Sequence, residues 1–262
     1  MLAAVFEGEG RLALREAPEP GMIRADDVLL RVDAASICGT DLHILETPPG
    51  HPATPHTILG HEYTGTVLET GPDVTTVAVG DRVVVNPNPP CHVCRYCRLG
   101  LPNMCENLVT LGIFRDGAFA AKTVAPAAAL YRIDPRVPVE LAALAEPLSC
   151  VVNATTQVAL HSGQTAVVLG AGPIGCLFTQ LFAAAGAGRI IVSEVSSFRQ
   201  EIARASGATD IVDPRGSDLR AFVDEHTGGG ADVVVDSVGA LFPQAIHLAR
   251  PGGQVVLFGM ND

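Results

Sequence analysis

A run of apolar residues that ends in a glycine-rich turn constrains the fold of this chain more than any other feature. Residues 165–175 read TAVVLGAGPIG, and an apolar helical segment follows. Beyond it, short apolar runs alternate with helical segments: RIIVSEV, RQEIARASG, TDIV, SDLRAFVDEHTG, ADVVVDSVG, LFPQAIHLARPGG and QVVLFGM. Such alternation is typical of a parallel sheet with helices on both faces. We therefore expect a doubly wound α/β domain over residues 151–262.

The glycines of this turn follow the pattern GxGxxG. The pattern is weak evidence alone, but here it stands between a strand and a helix, where a dinucleotide pyrophosphate binds. Gly172 would let the pyrophosphate approach the backbone, and Gly175 would let the helix pack closely on the strand. The expected cofactor-binding loop consists of Gly170, Gly172, Pro173, Ile174 and Gly175.

Glu194 is the expected ribose-binding residue. It follows the next apolar run and stands 22 residues after Gly172. There its carboxylate would accept both ribose hydroxyls of NAD and repel the 2′-phosphate of NADP. The alternative is an ordinary exposed acid at a strand end.

The first part of the chain is rich in turns and β-forming runs. Runs at residues 28–36, 63–70 and 81–87 indicate a small twisted barrel or sandwich. Residues 140–160 are helical in composition. We therefore expect one domain over residues 1–150 and a second over 151–262.

Composition excludes several kinds of partner. With 17 Lys and Arg against 28 Asp and Glu, the net charge of −11 argues against binding nucleic acid through bulk charge. Aromatic residues make up only 5% and Trp is absent, which removes base-stacking surfaces. Residues 165–188 are uncharged, but their glycines and Pro173 disfavour a membrane span. With no secretory signal pattern, we expect a cytoplasmic protein that acts on a small molecule.

Four of the seven cysteines stand together in CHVCRYCRLGLPNMC, at Cys91, Cys94, Cys97 and Cys105. In a cytoplasmic chain such cysteines indicate a metal rather than disulfides. The two-residue gaps let neighbouring thiolates face one ion, and the longer third gap closes a tetrahedron. Four cysteines leave no open position, so a zinc ion here would be structural. An iron–sulfur cluster and four unrelated buried cysteines are the alternatives.

A second set of metal-binding residue types is more widely spaced. Cys38 lies in SICGTDLH, and His61 and Glu62 lie in GHEYTG. One cysteine, one histidine and one carboxylate leave a coordination position free, as metal catalysis requires. A lone cysteine or histidine is more often an inert core residue. The interpretation therefore depends on the accompanying four-cysteine motif and nucleotide-binding pattern.

The motifs CGTDLH, GHE, the four-cysteine segment and GAGPIG stand in the order and spacing of the zinc-dependent medium-chain dehydrogenases. The sequence resembles that family over essentially its whole length. The motif EPLSC at residues 146–150 is most similar to the polyol (sorbitol) and threonine dehydrogenase branch. The resemblance implies a GroES-like twisted β-barrel catalytic domain followed by a Rossmann domain.

The resemblance also implies which residues bind the catalytic zinc. Cys38 and His61 would be ligands, and either Glu62 or Glu146 would supply the carboxylate. Both glutamates remain candidates, because both arrangements occur in the polyol branch. Cys150 is expected to be a small core residue.

Further roles follow from the same resemblance. Asp41 would hydrogen-bond the zinc-binding histidine and fix its orientation, the alternative being a turn or helix cap. Thr40 and His43 would carry the substrate proton to solvent. Arg199 matches a basic position near the adenosine ribose, which would weaken the discrimination against NADP. NAD is nevertheless the expected cofactor.

The function implied is oxidation of a secondary alcohol, of polyol or sugar-alcohol type, to a ketone with hydride transfer to NAD. Two zinc ions per chain are expected, one catalytic and one structural. A threonine or amino-alcohol dehydrogenase is one alternative, and a non-catalytic nucleotide-binding zinc module is another from a different class. Loop 46–56, with His51 and His56, could line the substrate pocket.

The length of 262 residues is short for this family. Members continue beyond the strand that corresponds to QVVLFGM with a further cofactor-domain strand and a return to the catalytic domain. We therefore expect the C-terminal part to be missing. The sheet edge through which members form homodimers or homotetramers would be missing with it.

Overall fold

The computed structural model describes residues 1–260. These residues form two compact units, of which the first covers Met1–Glu146 and the second begins at Pro147. Each unit has its own sheets and its own buried apolar clusters.

The first unit is mostly antiparallel β-structure. Its strands are β1 (Leu2–Gly8), β2 (Arg11–Glu16), β3 (Asp27–Ser36), β4 (Thr57–Ile58), β5 (Glu62–Thr70), β6 (Arg82–Val85), β7 (Lys122–Pro126) and β8 (Leu130–Arg132). They form a five-stranded sheet in the order β7-β3-β5-β6-β8 and a three-stranded sheet in the order β2-β1-β4. Alternate residues of β3 and β6, including Val28, Leu30, Val83 and Val85, are buried in one cluster, as the period of a half-buried strand requires.

Short helices follow or connect these strands. They are α1 (Gly39–Ile44), α2 (Arg95–Arg98), α3 (Val139–Ala142) and α4 (Ala145–Thr155), with 3₁₀ helices at Pro102–Met104 and Ala127–Ala129. Pro147 lies in the first turn of α4, where its missing N–H has no helical partner to lose.

The second unit is a five-stranded parallel sheet. Its strands are β9 (Thr165–Leu169), β10 (Arg189–Ser193), β11 (Asp210–Val212), β12 (Ala231–Asp236) and β13 (Ala249–Leu257), in the order β11-β10-β9-β12-β13. Its helices are α5 (Pro173–Ala184), α6 (Ser197–Ala205), α7 (Leu219–Thr227) and α8 (Phe242–Leu248).

The central strand β9 is buried on both faces. Ala166 and Val168 pack in the cluster that contains Phe178 of α5. Val167 and Leu169 pack in the cluster on the other face, which contains residues of α7 and α8. Burial on both faces explains why TAVVL reads as a continuous apolar run.

Two expectations from the sequence are wrong in detail. Residues 249–253 (ARPGG) were expected to continue a helical segment, but β13 begins at Ala249, because Pro251 and the left-handed Gly252 cannot continue a helix. Cys150 was expected in a core and is exposed on α4, whose buried residues are Pro147 and Val151.

The uncharged stretch 165–188 forms β9 and α5. Among residues 1–260, no helix has both the length and the apolar character needed to cross a bilayer.

Candidate active site

The four clustered cysteines form a compact sulfur site. The sulfur atoms of Cys91, Cys94, Cys97 and Cys105 all lie within 4.8 Å of one another. Cys94 immediately precedes α2, and Cys105 follows the 3₁₀ helix Pro102–Met104, so two short turns bring the sequence motif together. Backbone and side-chain N–H groups surround the sulfurs. Cys91 Sγ accepts from the N–H of Cys94 over 3.3 Å and from Asn107 Nδ2 over 3.4 Å.

The ionisation of these thiols is uneven. The hydrogen bond from Asn107 and the N–H groups of Val93 and Cys94 lower the pKa of Cys91 to about 6. Loss of contact with water and the neighbouring thiols raise the pKa of Cys97 to about 12. Adjacent sulfurs therefore oppose each other's ionisation, which a bound cation would relieve.

This donor set fits a zinc ion. Thiolates about 2.3 Å from zinc stand about 3.8 Å apart at the corners of a tetrahedron. The sulfurs of Cys94 and Cys105 are 3.9 Å apart. An iron–sulfur cluster would separate the sulfurs further, because its cysteines ligate different iron atoms.

The second site forms where β3 and β5 pair. Cys38 follows β3, and His61 directly precedes β5. The antiparallel ladder places Ser36 opposite Glu62, so the ends of the two strands meet. As a result, one ligand atom each from Cys38, His61 and Glu62 lie within 4.8 Å of one another, although Cys38 stands 23 residues before His61 in the sequence.

Asp41 contacts both sides of this site. Its Oδ2 accepts a hydrogen bond from the Cys38 N–H over 2.9 Å, and its Oδ1 lies 3.5 Å from His61 Nδ1. Both side chains are buried. Burial lowers the pKa of His61, but Asp41 and Cys38 outweigh that effect and raise the pKa to about 10. Asp41 thus caps the start of α1 and also faces His61. The turn or cap role and the contact with the histidine are therefore compatible.

Three more polar residues lie in the segments that carry these ligands. The Ser36 hydroxyl donates a hydrogen bond to Oε2 of Glu62, which is 6% exposed. Cys38 Sγ is 3.6 Å from Thr40 Oγ1. His43 Nδ1 is 3.1 Å from Glu46 Oε1, and the His43 ring is half-buried. Ser36 was not among the residues expected from the sequence.

Glu146, the other candidate ligand, lies half-buried in the first turn of α4. Two compact ligand groups occur among residues 1–260, the four cysteines and the group of Cys38, His61 and Glu62. A thiolate, an imidazole and a carboxylate in such proximity fit a zinc site with an open position.

Loop 46–56 folds back on α1. The His43 carbonyl oxygen accepts the N–H of Glu46 over 3.3 Å and that of Gly50 over 2.9 Å. The ring centroid of His51 is 6.4 Å from that of Phe114. His56 is exposed and has a left-handed backbone, with φ at +68°. The two histidines of the loop therefore differ in their surroundings.

Three glycines bring backbone segments together just before His61. A Cβ atom on Gly112 or on Gly117 would lie 2.2 Å from the carbonyl oxygen of Gly60. The same oxygen accepts the N–H of Ala118 over 2.9 Å. The segment with Gly112 and Gly117 thereby holds the backbone that carries His61.

The glycine turn of the second unit joins β9 to α5. Gly170 has φ at +89°, and a Cβ on Gly175 would lie 2.1 Å from the Gly170 carbonyl oxygen. A Cβ on Gly172 would meet no atom within 4 Å. Pro173 begins α5 and Ile174 follows it, half-buried. The open side of the turn is therefore at Gly172 and at the start of the helix.

Glu194 is buried beside this turn. Its two carboxylate oxygens accept the N–H groups of Ala171 and Ser196, each over 2.8 Å. Burial raises the pKa of Glu194, but these hydrogen bonds and the charge of Arg199 outweigh it and hold the pKa below its usual value. Arg199 itself is exposed, and Arg215 donates to the carbonyl oxygen of Val195. The charge of Arg199 acts on Glu194, whereas Arg215 is paired with Asp213 over 2.6 Å and interacts with Glu194 only through its charge. Arg215 was not foreseen from the sequence.

Comparison with known proteins identifies the family. Residues 24–135 match the alcohol dehydrogenase GroES-like domain, and residues 173–262 match the zinc-binding dehydrogenase domain. L-threonine 3-dehydrogenase of Pyrococcus abyssi is 38% identical over 250 residues, which cover 94% of this chain and 71% of the relative. D-xylulose reductase A of Aspergillus oryzae is 34% identical over 270 aligned positions, gaps included, and the alignment covers 99% of this chain and 75% of the relative.

A solved structure agrees with this result. A protein of Sinorhizobium meliloti, described as a zinc-binding dehydrogenase and bound to NADP, is 36% identical and superposes with a TM-score of 0.90 over 99% of this chain and 76% of its own. The expected GroES-like and Rossmann fold class is therefore confirmed, and so is the shorter length of the chain relative to its homologues. The chain belongs to the zinc-dependent medium-chain dehydrogenase family and is an oxidoreductase of the alcohol dehydrogenase type.

Proposed function

We propose that this enzyme oxidises a secondary alcohol of the polyol class to a ketone and transfers the hydride to NAD. The observation that carries the proposal is the group formed by Cys38, His61 and Glu62, because three donors leave the fourth position of a tetrahedral zinc site for another ligand. The substrates in the names of two relatives fit a reaction between a secondary alcohol and a ketone. Carbon 3 of threonine bears a secondary hydroxyl, and xylulose is a ketose.

In this proposal the chain holds two zinc ions. Cys91, Cys94, Cys97 and Cys105 hold the structural ion, and Cys38, His61 and Glu62 hold the catalytic one. A zinc ion in the second site supplies Lewis-acid chemistry, which makes the proton of an alcohol hydroxyl easier to remove. Glu146 is retained as a further candidate ligand.

The residues around that site move the proton and orient the ligands. Thr40, beside the Cys38 sulfur, would accept the proton of the substrate hydroxyl through its own hydroxyl group. His43, held by Glu46 and partly in contact with solvent, would pass it on. Asp41 would orient the ring of His61.

The second unit would bind the cofactor. Gly172 and the start of α5 offer backbone N–H groups to the pyrophosphate, and the helix dipole favours its negative charge. NAD held at this turn would supply the hydride-accepting chemistry. Glu194 would favour NAD, whereas the nearby charge of Arg199 keeps NADP as the alternative.

The domain roles, the location and the assembly are part of the same proposal. Residues 1–150 would form the catalytic domain and residues 151–262 the cofactor domain. Seven cysteines that form no disulfide in the described residues suit the cytoplasm. A homodimer or homotetramer is expected, and light scattering during gel filtration would measure it.

A substrate screen that follows NADH absorbance tests the proposed activity. We expect turnover with polyols that exceeds turnover with L-threonine, and a higher kcat/KM with NAD than with NADP. Faster turnover of L-threonine would favour the alternative suggested by the Pyrococcus relative. One zinc per chain and no turnover would instead indicate a nucleotide-binding zinc module.

A second experiment assigns the carboxylate ligand. Glu62→Gln and Glu146→Gln are each compared with wild type for zinc content and turnover. We expect Glu62→Gln to lose one zinc and most of the turnover, while Glu146→Gln keeps two zinc ions. Loss of zinc only in Glu146→Gln would contradict the assignment.

A further inference from the structure

Ser36 and Glu62 are partners in the β3–β5 ladder. They form the pair at the end of the ladder, next to the segment that carries Cys38. The Ser36 hydroxyl donates a hydrogen bond to Oε2 of Glu62. Ser36 is half-buried and Glu62 is buried.

This hydrogen bond restricts a flexible ligand. A glutamate side chain has three rotatable bonds, and a buried carboxylate without donors is costly. A hydrogen bond from a hydroxyl to a carboxylate is charge-assisted and strong. Because Ser36 is fixed in the β ladder, it can hold the Glu62 carboxylate in one orientation. It also engages one carboxylate oxygen, which leaves the other for a cation.

We propose that Ser36 is a positioning residue of the catalytic metal site, which holds Glu62 as a ligand through a single carboxylate oxygen. The inference rests on the proposed function, since it requires a metal ion bound by Cys38, His61 and Glu62. Ser36 itself contacts neither substrate nor cofactor in this assignment. Its effect is on how firmly, and with what geometry, the ion is bound.

Metal exchange tests the inference without relying on turnover. The full chain is loaded with Co²⁺ at both sites, and the visible spectrum and the rate of cobalt loss to a chelator are recorded. The sites are distinguishable, because four thiolates give far stronger sulfur-to-cobalt absorption than one. The four-cysteine site therefore serves as an internal reference.

Four variants are compared. Ser36→Ala removes the hydroxyl, and Ser36→Cys keeps the size with a much weaker donor. Ser36→Thr keeps the hydroxyl and is the rescue variant. The matched control is Thr66→Val, because the Thr66 hydroxyl donates to the carboxylate of Asp33 over 2.6 Å in the same pair of strands, away from the metal ligands.

We expect Ser36→Ala and Ser36→Cys to lose cobalt from the mixed-ligand site about tenfold faster, with a changed spectrum at that site. Ser36→Thr and Thr66→Val should behave as wild type, and cobalt loss from the four-cysteine site should be unchanged in all variants. Wild-type rates and spectra in Ser36→Ala would overturn the inference. A wild-type chain that binds cobalt only at the four-cysteine site would overturn the proposed function itself.

Discussion

Asp41 uses its two carboxylate oxygens for different partners. One oxygen accepts the N–H of Cys38 at the start of α1, and the other faces Nδ1 of His61. In Asp41→Asn the amide oxygen can still accept from Cys38, but the amide NH₂ then faces His61. That arrangement favours the imidazole tautomer that has its proton on Nε2, the nitrogen left for the metal.

We expect Asp41→Asn to weaken zinc binding at the mixed-ligand site by about 10- to 100-fold, with little change in thermal stability. Asp41→Ala should also lose about 1 kcal/mol of stability, because the bond at the helix start is gone. Zinc competition with a chelator and thermal unfolding measure the two effects. Equal zinc affinity in Asp41→Asn and wild type would show that the contact of Asp41 with His61 does not contribute to zinc binding.

Asn107 has a comparable role at the four-cysteine site. Its side chain donates to Cys91 Sγ, and its backbone N–H donates to Cys105 Sγ, both over 3.4 Å. We expect Asn107→Ala to release the structural zinc faster, since the thiolate of Cys91 loses a donor. Asn103→Ala, an exposed position in the same segment, is the control. The rate of zinc release to a chromogenic chelator is measured for both variants and for wild type. Identical rates in Asn107→Ala and wild type would refute the role of Asn107.

The turn between β9 and α5 contains two glycines that are required for different reasons. A Cβ on Gly175 would strike the Gly170 carbonyl oxygen, whereas a Cβ on Gly172 would meet nothing within 4 Å. Gly175→Ala should therefore destabilise the protein. Gly172→Ala should unfold at the wild-type temperature and bind NADH at least tenfold more weakly, because its methyl group would occupy the pyrophosphate approach.

Thermal unfolding and NADH fluorescence titration check both halves of this prediction. A wild-type affinity for NADH in Gly172→Ala would place the pyrophosphate elsewhere. A wild-type melting temperature in Gly175→Ala would show that helix and strand can separate without cost.

Elements and local motifs were predictable where the signal is local. Three such patterns are defined by residues close together in the sequence: the run TAVVL, the GxGxxG turn, and the two-residue spacing of Cys91, Cys94 and Cys97. Ser36, Asn107 and Arg215 could not be found in this way, because their contacts with Glu62, Cys91 and Val195 arise only when separate segments meet. The register that sets Ser36 opposite Glu62 is a property of strand pairing and leaves no spacing signal in the sequence.

The two metal sites lie in the first unit and the glycine turn lies in the second. A ligand stabilises the structure that binds it. We expect a strong chelator to accelerate amide exchange at residues 36–44 and 91–107. NADH should slow exchange at residues 165–184. Hydrogen exchange with mass spectrometry measures both, and protection of residues 91–107 by NADH alone would contradict this division.

The contact of Gly60 with Gly112 and Gly117 has a consequence for genetic experiments. No larger residue fits at Gly112 or Gly117 without moving the backbone that leads into His61. In a saturation mutagenesis screen for activity, both positions should be as intolerant as the metal ligands themselves. The screen alone would then suggest that Gly112 and Gly117 are catalytic, although they only provide close backbone contacts with Gly60. Soluble yield, measured beside activity for each variant, separates the two explanations.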